Sequence, residues 1–155
     1  MPLLRAALSW NFVLATAICA SLLAQLIKVL LNLFIFHRFI AERMWGAGGM
    51  PSSHSATVCA MVVATGRYCG VNSPIFSIAA VLSIIVMYDA MGVRYETGEQ
   101  AKVLNRMFTE WMDQGFEQFQ LPHGKKLKEM VGHTPIEVVT GAALGIVLGF
   151  AMPMV

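Results

Sequence analysis

The chain has 155 residues, 57% of them hydrophobic and 13% charged, with a mean hydropathy of +0.64. Soluble domains are about 45–50% apolar and about 25% charged, and a single core of this size could not hide the apolar excess from water. A disordered chain, a disulfide scaffold and a cytosolic enzyme therefore do not fit, lipid is the expected surroundings, and a net charge of +2 is too small to argue for nucleic acid.

A membrane helix needs roughly 20 mostly apolar residues. Four stretches come close, and they predict an all-α, integral membrane helical bundle of about four spans forming one domain over 1–155. The first span covers 6–36, broken only by polar residues such as Gln25, Lys28 and Asn32. It is too long for a signal-peptide core, and no small-residue cleavage site precedes the lysine. A short connection, 37–52, contains Gly46, Gly48 and Gly49. The second span, 51–66, carries His54 near its start, and a tight turn through Gly70, Asn72 and Pro74 leads to the third, 73–92. The fourth, 135–155, has Glu137 as its only charge. Cys19, Cys59 and Cys69 sit among apolar neighbours without C-x-x-C spacing and read as packing residues.

Residues 93–133 hold most of the charge. Within them Val103, Leu104, Met107, Phe108, Trp111, Met112 and Phe119 recur at roughly helical spacing, with Lys102, Arg106, Glu110 and Asp113 between. This pattern suits an amphipathic helix on the bilayer surface; a helix packed on the protein's own spans fits it as well.

Ionisable groups inside spans are costly and point to function. Here they are Lys28, His54, Asp89 and Glu137, with Arg94 and His133 at helix ends. If each connection crosses once, residues 37–52 and 93–133 lie on one side of the membrane. His54, Asp89, Arg94, His133 and Glu137 then gather at one face, with Lys28 about two turns inside it.

The local patterns carry chemistry. In Gly48-Gly49-Met50-Pro51-Ser52-Ser53-His54, a glycine-rich turn enters a helix with Ser52 at its N-cap. The free N–H groups of such a helix start bind anions, and His54 would stand beside the anion as an acid; an ordinary serine cap explains the same residues. Thr134-Pro135-Ile136-Glu137 reads as a capping box. Glu137 also lies four residues after His133, where it could fix the imidazole tautomer and leave the other nitrogen free as a nucleophile. Arg94 and Lys28 would surround a phosphoryl group as cations, although Lys28 alone could equally snorkel to the interface and Arg94 could be a positive flank. Asp89 reads as a counter-ion to either cation.

Taken together, these residues resemble a compact, divergent branch of the type-2 phosphatidic acid phosphatase and vanadium haloperoxidase superfamily. Pro51-Ser52-Ser53-His54 matches its P-S-G-H motif with Ser53 for glycine. His133-Thr134-Pro135-Ile136-Glu137 matches its H-x-x-x-D motif with glutamate for aspartate, running on into Val138, Gly141 and Gly145. Arg94 takes the arginine position after Val93, where serine is usual, and the distance from Arg94 to His133 is far longer than the family's. Lys28 fits the first motif, whose arginine is Arg43 or Arg38.

The resemblance implies a phosphatase without a metal or other cofactor. His133 would form a phosphohistidine, Glu137 would orient it, and His54 would protonate the leaving alcohol and then activate water. Lys28, Arg94, Arg43 and the backbone around Ser52 and Ser53 would hold the phosphate. The expected substrate is a lipid-borne phosphate monoester or diphosphate, of isoprenoid phosphate or phosphatidic acid type, and a homodimer would complete a bundle smaller than the family's. Two other readings stand beside it: a lipid-phosphate binder or carrier without turnover, and a metal-dependent hydrolase using His54, His133, Asp89 and Glu137. The positive-inside rule sets Arg5 and Arg67 against the many basic residues of the site side and expects the site in the cytoplasm.

Overall fold

In the computed structural model, which describes residues 11–36, 49–114, 126–129 and 131–154, every regular element is an α-helix. They are α1 (Phe12–Phe36), α2 (Ser53–Cys69), α3 (Pro74–Met91), α4 (Val93–Asp113) and α5 (Pro135–Ala151). Helix starts are set by local chemistry. Ser52 caps α2, its Oγ accepting from Ser55 N at 3.4 Å. Ser73 caps α3, its Oγ accepting from Phe76 N at 3.2 Å, with Pro74 in the first turn where no N–H is missed. The Thr134–Glu137 capping box opens α5.

Small residues line the inside and large apolar residues the outside. Ala20 and Ala24 of α1 meet Ala56 and Ala60 of α2, with Leu144 and Leu148 of α5 against them. Gly141 and Gly145 of α5 lie so close to α2 that a Cβ on either would overlap the carbonyl of Ser52 or Ala56. Outward stand Leu14, Ile18, Leu22 and Leu26 of α1, and Ile75, Ile78, Val81 and Leu82 of α3. Water would not tolerate that distribution; lipid does, because there close backbone approach, rather than burial of large side chains, drives association. The protein is a helical membrane bundle.

Helices α2 and α5 form the centre, α1 and α3 flank them, and among the described helices α4 touches α3 alone. Two runs are long and apolar enough to cross a bilayer: Phe12–Phe34, and the run from Pro74 through α3 into α4. The two central helices, at 17 residues each, fall short of the roughly 20 residues of a full span.

The α4 helix begins directly after Gly92, so Arg94 lies in its first turn. Val103, Leu104, Met107 and Met112 are exposed along it, and its Lys102 and Arg106 pair with Glu99 and Glu110. Phe119, Arg38, Arg43, Gly46, Gly48 and Arg5 lie outside the described residues. The reading of the cysteines needs one correction. Cys59 packs against Ser83 and Met87, but Cys69, the last residue of α2, is exposed.

Arg67 closes the end of the bundle away from the histidines. Its Nη1 donates to the carbonyls of Gly149, Phe150 and Met152 at 2.6, 3.1 and 2.7 Å, and its guanidinium lies 5.6 Å from the centre of the Phe12 ring. A helix end leaves carbonyls without intrahelical partners, and one cation serves three of them.

Candidate active site

The opposite end of the bundle brings together the start of α2, the end of α3, the first turn of α4 and the start of α5. A cavity of about 290 Å³ opens there. His54, His133, Asp89 and Arg94 form its polar part, and Ile85, Val86 and Ala90 of α3 its apolar wall.

His133 stands just before α5, only 2% exposed. Its backbone N–H donates to Ala90 O at 3.1 Å, which fixes it to the end of α3. Its Nδ1 lies 3.0 Å from Glu137 Oε2, and the same oxygen accepts from Thr134 N at 3.1 Å. The capping and orienting roles of Glu137 thus coexist on one oxygen. Nε2 of His133 is buried and has no hydrogen-bond partner among the described residues. Burial holds this imidazole below the ordinary histidine range, outweighing the upward pull of the Glu137 carboxylate. With Nδ1 on a carboxylate, the neutral ring carries its proton there and leaves a lone pair on Nε2.

His54, the second residue of α2, is exposed, and its ring centre lies 6.3 Å from that of His133 at an interplanar angle of 63°. The two imidazoles face one small space, one solvent-accessible and one enclosed. Ser52 and Ser53 are buried beside it. Ser52 Oγ accepts from Ser55 Oγ at 3.1 Å, and Ser52 N donates to Glu137 O at 2.9 Å.

Lys28 does not snorkel. It is 2% exposed, lies beneath Gly49, and is close enough to interact electrostatically with Glu137, His54 and His133. Arg94 donates from Nε to Asp89 Oδ2 at 2.6 Å, a half-exposed pair on the cavity rim that leaves the terminal guanidinium nitrogens unused by that bond. Asp89 is therefore the counter-ion of Arg94. Among the described residues, no three His, Cys, Asp or Glu side chains converge as a metal site; two of the carboxylates are engaged by Arg94 and His133.

Gln25 was not singled out by the sequence reading as a site residue. Its Nε2 donates to Ser53 Oγ at 3.4 Å and its Oε1 is buried without a partner. The available signal was its spacing: three residues before Lys28, it shares that helix face. The apolar wall from Ile85, Val86 and Ala90 was also missed, since in a span of uniform hydropathy nothing distinguishes a cavity-lining residue from a lipid-facing one.

A carboxylate-held histidine thus faces a second histidine at one end of a helical membrane bundle. The chain belongs to the divergent PAP2 family, whose model matches residues 9–148. It is similar to the uncharacterized membrane protein YuiD of Bacillus subtilis (strain 168), with 38% identity over 144 residues that cover 89% of this chain and 91% of the relative. No solved structure matches the chain.

Proposed function

We propose that this protein is a multi-pass membrane phosphatase acting on a lipid-borne phosphate monoester or diphosphate through a phosphohistidine on His133. The supporting observation is His133 itself: enclosed, held at Nδ1 by Glu137, and unpartnered at Nε2. In the first step the Nε2 lone pair attacks phosphorus; a P–N bond forms, the P–O bond to the lipid breaks, and His54 gives its proton to the departing oxygen. In the second, His54 takes a proton from water, whose oxygen attacks phosphorus, breaking the P–N bond and freeing phosphate. Lys28, the terminal nitrogens of Arg94 and the N–H groups at the start of α2 match the charge that spreads over the phosphoryl oxygens.

The apolar wall of the cavity suits an amphiphile whose chain stays in lipid, of isoprenoid phosphate or phosphatidic acid type. The same reading has all four helices α1, α2, α3 and α5 crossing the membrane, the apolar stripe of α4 on the bilayer surface, and the site on the cytoplasmic face with the basic residues around it. A second copy against the apolar exterior would complete a homodimer.

A phosphate-release panel over isoprenoid phosphates and phosphatidic acid tests the activity, with purified wild type, His133→Ala and Lys102→Ala. Release by wild type and Lys102→Ala but not His133→Ala, blocked by vanadate and unaffected by EDTA, is expected. Equal release by all three overturns the proposal. Binding of lipid phosphate without release would instead identify a carrier, and loss of activity in EDTA a metal enzyme.

A further inference from the structure

His133 lies in the second of two described stretches without regular structure, residues 126–129 and 131–134, and something must fix the position of its backbone. Helix α4 does so. Asn105, 5% exposed, donates from Nδ2 to Leu127 O at 2.9 Å and accepts at Oδ1 from Leu127 N at 2.8 Å. One carboxamide thus pairs with both backbone groups of one residue, as a neighbouring strand would. Its Nδ2 also reaches Glu129 Oε1 at 2.8 Å. A buried carboxamide costs stability unless bonded, and here it is fully used.

The rest of that face is cleared for the segment. Gly98, Ala101 and Asn105 are buried along one side of α4. A Cβ at Gly98 would stand 2.5 Å from Glu129 O, and a Cβ at Gly132 would overlap the backbone of Tyr95 in the first turn of α4. The last link is His133 N to Ala90 O at the end of α3. Leu127 and Glu129 are thus held against Asn105 and Gly98 of α4, and Gly132 lies against Tyr95 in its first turn, before His133 meets Glu137.

We propose that α4 is a splint that sets the position of His133, and that Asn105 is its positioning residue. Only the kinetic consequence rests on the phosphatase reading; the placement of the imidazole does not. The charged and titratable groups around His133 are Glu137 from α5, Lys28 from α1, His54 from α2, and the Asp89–Arg94 pair joining α3 to α4. Loosening the segment changes both the burial of the ring and its distance to Glu137.

The test uses the full chain in detergent, labelled at histidine, as wild type, Asn105→Ala, Gly98→Ala and Arg106→Ala. NMR titration reads the His133 imidazole directly, whatever the activity. In Asn105→Ala and Gly98→Ala its midpoint should move towards the ordinary histidine value by about half a unit or more, while Arg106→Ala titrates as wild type. With phosphatase activity, kcat in the two variants should fall at least about tenfold with KM nearly unchanged, as small misplacements of reacting groups do. If Asn105→Ala does not fold, Gly98→Ala decides, since it keeps every hydrogen-bonding group and only displaces the Glu129 carbonyl. A folded variant whose His133 titrates as in wild type overturns the proposal, and so does an equal shift in Arg106→Ala. A wild type that releases no phosphate defeats the phosphatase reading alone, because the titration still reports on Asn105.

Discussion

The backbone N–H of Ser52 donates to the carbonyl oxygen of Glu137 at 2.9 Å, tying the cap of the His54 helix to the first turn of the helix that orients His133. One turn further along, Gly141 of α5 lies directly against Ser52. A Cβ on Gly141 would stand 3.0 Å from Ser52 N and overlap Ser52 O. Gly141→Ala should therefore cost about 1–3 kcal/mol of stability and lower kcat by separating the two imidazoles. Thermal unfolding and phosphate release on the same preparation check both effects; an unchanged protein would mean that the two helix starts are not coupled.

Replacing Glu137 with glutamine keeps its size and leaves an oxygen for Thr134 N, but removes the carboxylate charge from His133 Nδ1. The expected result is a fall in kcat of about 10–100-fold, as found when groups that orient a working imidazole are lost, with folding retained. Glu137→Ala should add a stability loss of about 1 kcal/mol through the cap. Comparing the two variants separates orientation from capping.

The pH dependence has a defined sign. Burial lowers the folded pKa of His133 below the ordinary value of 6.5, so the imidazole stays neutral to lower pH in the folded protein than in the unfolded chain. Nucleophilic activity should persist below pH 6.5 and fail only as the pH passes through the lowered value. Stability should likewise be full above 6.5 and decline as pH falls from there, because the unfolded chain takes up the proton first. Melting curves of wild type and His133→Asn should diverge below pH 6.5, with wild type losing more on acidification.

On the proposed function, Asp89 offsets part of the Arg94 charge that would face the substrate. The pair is half-exposed, so Asp89→Asn should change stability by less than about 1 kcal/mol. It should lower KM for an anionic substrate, since a negative charge leaves the cavity rim and Nε of Arg94 is released. Steady-state kinetics would show this; a raised KM would mean that Asp89 holds Arg94 in its working position.

Arg67 should behave oppositely. Arg67→Met removes the partner of the Gly149, Phe150 and Met152 carbonyls at the end of α5 and should cost about 1–3 kcal/mol. The site at the other end should keep its kcat at temperatures where the variant is folded. Melting temperature and kcat measured together are sufficient.

Composition and spacing alone determined that the chain is a set of apolar helices, where Ser52 and Thr134 begin two of them, and that His54, Asp89, Arg94, His133 and Glu137 lie at one end. Those features follow from hydropathy, capping chemistry and the alternation of direction between successive helices, all of which are local or countable along the chain. Only the tertiary structure decided that Lys28 turns inward, that Asp89 pairs with Arg94, that one oxygen of Glu137 serves both His133 and Thr134, and that Asn105 grips Leu127. Each of these depends on which groups are within about 3 Å across different elements. The Asn105–Leu127 contact was hidden because the helix advertises an apolar stripe on the other side, and no periodicity marks a carboxamide whose partner is a backbone 22 residues away.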